Sequence, residues 1–291
     1  MFVRLILWLC LFLPLTLNAA EPIKVVTSFS ILADMTRQIG GQHIELSNIV
    51  GPDADAHTFE PTPEDARHIQ RAALVISNGL HFEPWLDRLI SSTQTKALVI
   101  RASDGVIPRS MDEDGQLIAD PHAWNNLANA KIYASNIKRA LLQADPDNSV
   151  AYERNYQAYI GKIEALLVVA RQTFDKLPPG SRHVVTSHDA FAYLGQAYGI
   201  RFSAPQGLST EREPSAAEVA TLIRQIRAEN IKALFVENIK DGRLLKQIAE
   251  ESGARIGGIL YSDALAAHGP ASTYLGMYQH NIETLGKALG N

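Results

Sequence analysis

An α/β fold of two lobes with mostly parallel sheets, joined by a single long rigid linker helix, is predicted by three observations. Short β-rich apolar runs alternate with longer helical patterns across residues 23–142, and the alternation restarts across 183–289. That alternation is the mark of βα units and parallel sheets. Between the two blocks lies a stretch without proline, from Asp145-Pro146 to Pro178-Pro179, that carries one continuous helical pattern. Finally, 291 residues with 46% hydrophobic content suffice for two cores of ordinary domain size. The expected organisation is a leader at 1–20, a first lobe at 21–143, a linker helix at 144–178 and a second lobe at 179–291.

The chain opens with Arg4 and an apolar run over 5–17, broken by Pro14 and followed by Ala19-Ala20 and Glu21. This is the pattern of a cleaved secretory signal peptide. The run is shorter than the roughly 20 apolar residues a spanning helix needs, so the mature protein is not expected to be integral to a membrane. Cleavage is placed after Ala20. Cys10, the single cysteine, leaves with the leader, and Leu9 before it lacks the small side chain of a lipid-attachment signal. The mature chain then has no thiolate, so disulfides, redox motifs and Cys-based zinc sites are excluded. Removing 1–20 takes away one arginine and no acid, moving the formal charge from -4 to -5. No basic face is suggested, and nucleic-acid binding is not expected.

In the first lobe the predicted strands are 23–27, 44–50, 73–77 and 97–100, with helices at 30–39, 62–71, 84–90 and 126–142. Asp145-Pro146 is a helix start and Pro178-Pro179 a stop, so 145–177 is expected as one rod on the order of 45 Å long. Its apolar residues Val150, Tyr152, Tyr156, Tyr159, Ile160, Ile163, Leu166, Leu167, Ala170 and Phe174 recur mostly at spacings of three and four, predicting one covered stripe. The second lobe follows with strands at 183–186, 200–203, 233–236 and 256–261 and helices at 189–198, 215–230, 241–252 and 272–289.

Four residues in distinctive settings are candidate metal ligands: His57, His122, His188 and Asp263. His57 follows the loop Gly51-Pro-Asp-Ala-Asp55, with Pro61 and Pro63 holding the chain extended beyond it. Strand ends are where α/β lobes place ligands, and Asp55 is positioned to orient the imidazole. A surface histidine is the alternative. His122 stands between Pro121 and Trp124, where it either binds metal or caps a helix at an aromatic corner. His188 follows a predicted strand, and Asp263 occupies the corresponding place after 256–261, where an N-cap is the alternative reading. His43, His68, His81, His183 and His280 lack such settings. His268 is a weak substitute for Asp263, and Glu60 and Glu237 suit hydrogen bonding as well as metal contact. The four residues are spread over most of the chain, so any site they form is made by folding and lies between lobes.

With those contexts assembled, the chain resembles the metal-binding solute receptors of bacterial ABC transporters, of the cluster A-I type. The resemblance covers essentially the whole mature chain. It rests on Asn78-Gly-Leu80 with Glu83-Pro-Trp85, Asp120-Pro-His-Ala-Trp124, Ser187-His-Asp-Ala-Phe191 with Ala197-Tyr-Gly199, Phe235-Val-Glu237, and Tyr261-Ser-Asp-Ala-Leu265 with Tyr274-Leu-Gly-Met277 and Asn281. It implies metal binding in the cleft by His57 and His122 from one lobe and His188 and Asp263 from the other. It also implies a monomeric periplasmic receptor that serves a membrane permease. Release is expected to use small loop or lobe movements, because the linker is stiff.

Three imidazoles and one carboxylate suit Zn²⁺. Manganese prefers oxygen-rich surroundings, and manganese receptors of this family commonly carry an acid where His188 stands, so Mn²⁺ or a broad Mn/Zn/Fe range is the alternative. The segment between Ala102 and Asp120 lacks the histidine-rich loop of many zinc receptors. Its acids Asp112, Glu113 and Asp114 are read as a solvated turn. A secreted zinc hydrolase is the remote alternative, disfavoured because a metal-bound Asp263 closes the shell and neither His-Glu-x-x-His nor Gly-x-Ser-x-Gly occurs. An enzyme is therefore not expected. Binding needs neutral histidine, so affinity is expected to fall as pH drops through about 6.5.

Overall fold

Ile23–Phe29 forms strand β1, whose last five residues are buried on both faces. A strand covered on both sides belongs at the centre of a parallel sheet. β1 pairs in parallel with β2 (Ile44–Val50) and β3 (Leu74–Ser77), and β3 with β4 (Leu98–Arg101), giving the order β2-β1-β3-β4. Helices α1 (Ser30–Gly40), α2 (Pro63–Arg71) and α3 (Pro84–Thr93) make the crossovers. Thr62 and Asp65 form a capping box that starts α2. The computed structural model describes residues 21–113 and 116–290. The leader assigned to 1–20, with Cys10, and the acidic residue Asp114 lie outside them.

Where a surface turn was expected, Ser110–Glu113 (β5) and Gln116–Ala119 (β6) pair as an antiparallel hairpin. Each strand has only four residues, and β5 opens on serine and ends on two acids, too short and polar to register as alternation. Helix α4 (Leu127–Ala144) then closes the first lobe, started by the Asn126 side chain accepting from the Ala128 N–H.

The long helix α5 runs over Ser149–Phe174, 26 residues or about 39 Å, shorter than the expected 145–177. At its start Pro146–Asn148 forms a separate 3-10 turn, with Asp145 Oδ2 accepting from Tyr152 and Asn148. At its end the Arg182 guanidinium donates to the Phe174 and Leu177 carbonyls, satisfying orphan acceptors of the last turn. Tyr152, Tyr159, Ile163, Leu166, Ala170 and Phe174 are buried as the stripe predicted, whereas Val150 is 82% exposed. It lies in the first turn of the helix.

The second sheet repeats the topology of the first. β7 (His183–Val185) is flanked by β8 (Arg201–Ser203) and β9 (Ala233–Glu237), and β10 (Arg255–Leu260) lies beyond β9, all parallel. Its helices are α6 (Ala192–Tyr198), α7 (Ala216–Ala228), α8 (Arg243–Ser252) and α9 (Tyr274–Leu289). α6 begins three residues later than expected, because the Asp189 N–H bonds the Gly207 carbonyl and keeps 188–191 out of the helix. Gly276, in the first turn of α9, sits so close to Pro270 that a Cβ would lie 1.9 Å from its carbonyl oxygen, so only glycine fits.

One apolar core runs from Val25, Phe29 and Ile31 through the buried face of α5 to Phe191, Phe235, Tyr274 and Tyr278. The lobes thus meet through the kind of packing found inside a domain, which resists wide hinge motion. A smaller core lies between α7, α8 and the second sheet, around Leu222, Ile226, Leu234 and Ile248.

Candidate metal centre

All four predicted residues come together. His57 follows β2, His188 follows β7 and Asp263 follows β10, each beyond the carboxyl end of a parallel strand where an α/β sheet offers its crevice, whereas His122 follows the separate β5–β6 hairpin. One ligand atom from each lies within 4.8 Å of all the others, the only such group of three or more among the described residues. His188 Nε2 is 3.0 Å and His57 Nε2 3.2 Å from Asp263 Oδ2, and His122 Nε2 is 3.3 Å from His57 Nε2 and 3.7 Å from Asp263 Oδ2. Nitrogen and oxygen donors gathered this closely are the kind of set that holds a transition metal. Asp263 Oδ1 is buried without a hydrogen-bond partner, a costly state for a carboxylate oxygen unless a cation completes it. His268 is exposed and outside the group, and it does not replace Asp263.

Two carboxylates stand behind the histidines. Asp120 Oδ1 lies 2.8 Å from His122 Nδ1 and also accepts the His122 backbone N–H. Glu237 Oε1 accepts the backbone N–H groups of Ser187 and His188, while its Oε2 is 2.7 Å from His188 Nδ1. Each arrangement leaves Nε2 facing the pocket, the role that outer carboxylates play for metal-binding histidines. Of the two roles open to Glu237, the structure shows the hydrogen-bonding one. For Asp55 the expectation of an imidazole partner fails: its Oδ1 accepts the His57 backbone N–H at 3.0 Å, and its Oδ2 accepts the Thr210 hydroxyl at 2.6 Å.

Burial and charge act against each other here. Burial pulls His122 and His188 down, but Asp263, with Asp120 for the first and Glu237 for the second, outweighs it. His122 is held up to about 9 and His188 also well above its ordinary value. For Asp263, burial raises the carboxyl while the His188 and His122 charges lower it further, so it stays ionised. His57 is lowered, because burial exceeds the pull of Asp263. His122, His188 and Asp263 are 0% exposed and His57 8%. His57 is the candidate ligand on the outer side: with Leu80, Phe82, Leu117, Pro121 and Leu208 it lines a cavity of about 450 Å³.

The aromatic wall joins Trp124, expected beside His122, to Phe82 and Phe29, which no motif singled out. Phe82 meets His57 edge-on at 4.8 Å and packs on Phe29 and Trp124. Trp124 donates its indole N–H to the Ser262 carbonyl at 2.7 Å, fixing the residue before Asp263 from the other lobe. Asn125 reaches the Ala190 carbonyl and Tyr193 the Asp120 carbonyl, and Asn281 brackets the Tyr261 backbone on both sides. Asn78 donates to the Pro121 carbonyl and accepts from Tyr133. Burial pushes the Glu83 carboxyl up to about 7, although the Asn78 N–H bonds it. Buried donors and acceptors of this kind are paired or costly, which gives these polar residues a structural task.

The zinc-binding periplasmic protein TroA of Treponema pallidum superposes with a TM-score of 0.88 at 28% identity, over 93% of this chain and 100% of that one. The iron-binding protein YfeA of Yersinia pestis is 34% identical over 276 residues, 94% of this chain and 88% of its own length. The manganese ABC transporter substrate-binding lipoprotein PsaA of Streptococcus pneumoniae is 34% identical over 280 residues, 94% of this chain and 90% of its own. Two parallel-sheet lobes locked about a stiff helix, with a knot of nitrogen and oxygen donors in the seam, define a metal-binding substrate receptor of the ABC transporter class. The family described as Zinc-uptake complex component A, periplasmic, matches residues 25–288, and the chain belongs to it.

Proposed function

We propose that the protein captures a divalent transition metal, zinc before others, with His57, His122, His188 and Asp263, and delivers it to the membrane permease of an ABC importer. The observation that carries this reading is the donor set: three imidazole nitrogens and one carboxylate oxygen, all within 4.8 Å and nine-tenths or more buried. Three nitrogens and one oxygen match four-coordinate Zn²⁺. With Asp263 in the shell no position is left for an activated water, which supports a carrier and not a hydrolase. The receptor acts as a periplasmic monomer after loss of 1–20, its lobes being 21–143 and 179–291 about the linker 144–178.

A manganese or iron receptor is the second reading, and one feature favours it. The free Oδ1 of Asp263 allows a bidentate carboxylate, which enlarges the shell toward the oxygen-richer sites of harder ions. The named relatives are iron-binding, manganese-transporting and zinc-binding proteins. Metal analysis of protein purified without added metal, followed by competition between Zn²⁺ and Mn²⁺, decides between the two. One equivalent of zinc that manganese fails to displace supports the first reading. Displacement by equimolar manganese overturns it.

A further inference from the structure

His57 belongs to the first lobe, yet its loop is held by the second. The Asp53 N–H bonds the Leu265 carbonyl, and the Asp53 carboxylate accepts from the Asn238 amide and the Ala267 N–H, each at 2.9 Å. Two residues on, Asp55 divides its carboxylate: Oδ1 takes the His57 backbone N–H, and Oδ2 takes the Thr210 hydroxyl. The Lys240 ammonium lies 3.8 Å from that same Oδ2 and donates to the Thr210 carbonyl at 3.2 Å. The other three ligands have firmer anchors. His122 and His188 each have a carboxylate behind the ring, and the residue before Asp263 is bonded by the Trp124 indole.

We propose that Asp55 is a positioning residue that fastens His57 to the second lobe through Thr210 and Lys240, which makes His57 the ligand let go when the metal leaves. The proposal rests on the metal-receptor reading above. The segment that grips Asp55 also supplies Leu208, Ser209 and Glu211 to the cavity beside His57. A shift of 208–211 therefore opens the mouth and removes the anchor of the mouth ligand in one movement. The end of β9 joins the two halves of this device: Glu237 holds the His188 loop, while Asn238 and Lys240, just beyond, hold Asp53 and Asp55. A small displacement there is enough, and the shared core between lobes need not open.

The test is zinc release to an excess of chelator by stopped flow, on the full mature protein. Thr210→Val removes the hydroxyl without changing any ligand, and release is expected to accelerate on the order of tenfold, the scale of one hydrogen bond to a charged acceptor. Thr210→Ser restores the hydroxyl and the slow rate. In a His57→Ala background Thr210→Val is expected to add nothing, and the Co²⁺ absorption bands of Thr210→Val are expected to move toward those of His57→Ala. Unchanged release in Thr210→Val, equal acceleration with and without His57, unmoved Co²⁺ bands, or failure of serine to restore the rate overturns the proposal. A wild-type protein that binds no zinc or cobalt overturns the underlying metal reading instead.

Discussion

The first lobe contains the same short pattern twice, Asp55-Ala-His57 and Asp120-Pro-His122, and the two loops do different work. In both, the aspartate Oδ1 accepts the backbone N–H of the histidine two residues on, a local turn that Asp forms readily. Only Asp120 also reaches the ring: its loop is buried under Trp124 and Tyr193, and the carboxylate has no nearer partner than His122 Nδ1. Asp55, on the rim, turns its second oxygen across the cleft to Thr210. One aspartate backs a histidine ring, the other bonds across the cleft. Equal spacing in sequence therefore does not imply equal chemistry.

The widest separation between the loops is expected from the histidines themselves. His122→Ala leaves Asp263 and Asp120 facing each other in a closed space, and Zn²⁺ affinity should fall by well over the roughly 100-fold that loss of an outer partner can cause. His57→Ala opens the mouth side, where water can fill the vacated position, and the loss should stay within roughly 10–100-fold. Equal losses by titration calorimetry or chelator competition would remove the distinction between floor and mouth.

Acid dependence is the next largest effect. Without metal, His122, held up to about 9, and His188, also raised, carry protons at pH 7, while His57, which is lowered, does not. Metal displaces the two protons, so affinity should strengthen by roughly tenfold per proton per pH unit between pH 7 and 8. The window thus lies above the 6.5 expected from an ordinary histidine. For the metal-free protein the sign reverses. A raised folded-state pKa contributes stability fully present below about 6.5 and lost as pH rises through about 9. Proton release in two buffers of different ionisation heat measures the first effect, and melting of metal-free protein from pH 6 to 9 the second.

Smaller again is the pair of conservative changes. Asp120→Asn should cost roughly 10–100-fold in affinity by loosening His122. Asp55→Asn should act mainly on release and cost no more than roughly tenfold. If Asp55→Asn weakens equilibrium binding as much as Asp120→Asn, the two loops are equivalent after all. The smallest effect is thermal: saturation at 100 times Kd adds about 2.7 kcal/mol, a rise of roughly 5–10 °C for a chain of this size. At the wild-type metal concentration Thr210→Val should lower that gain, and His68→Ala, on exposed α2, should leave it unchanged.

Much of the fold was legible because its signals are local. Strand and helix order followed from short apolar runs and helical spacing, and the long helix from Asp145-Pro146 and Pro178-Pro179. Its ends were not, because a 3-10 turn at Pro146 and the Arg182 cap are settled by partners elsewhere in the chain. The β5–β6 hairpin escaped for lack of apolar alternation. Of the site, the four candidate ligands stood out by their settings and Glu237 as a hydrogen-bonding or metal-contacting acid, but Asp120 and Thr210 carried no mark of their tasks. The task of each of these three is defined by a partner, and two of those partners lie far away in sequence.

By itself the sequence determined which residue types are available for coordination, histidine and carboxylate without thiolate, and that two βα blocks flank a helix. Those are properties of composition and short-range periodicity. Only the tertiary structure decided that four residues spread from position 57 to 263 gather within 4.8 Å, that Asp263 with Asp120 and Glu237 shifts His122 and His188 upward, and that Asp55 faces the opposite lobe. Such facts depend on distances across the seam, and those arise only when α1 and α4 of one lobe and α9 of the other pack against the same long helix.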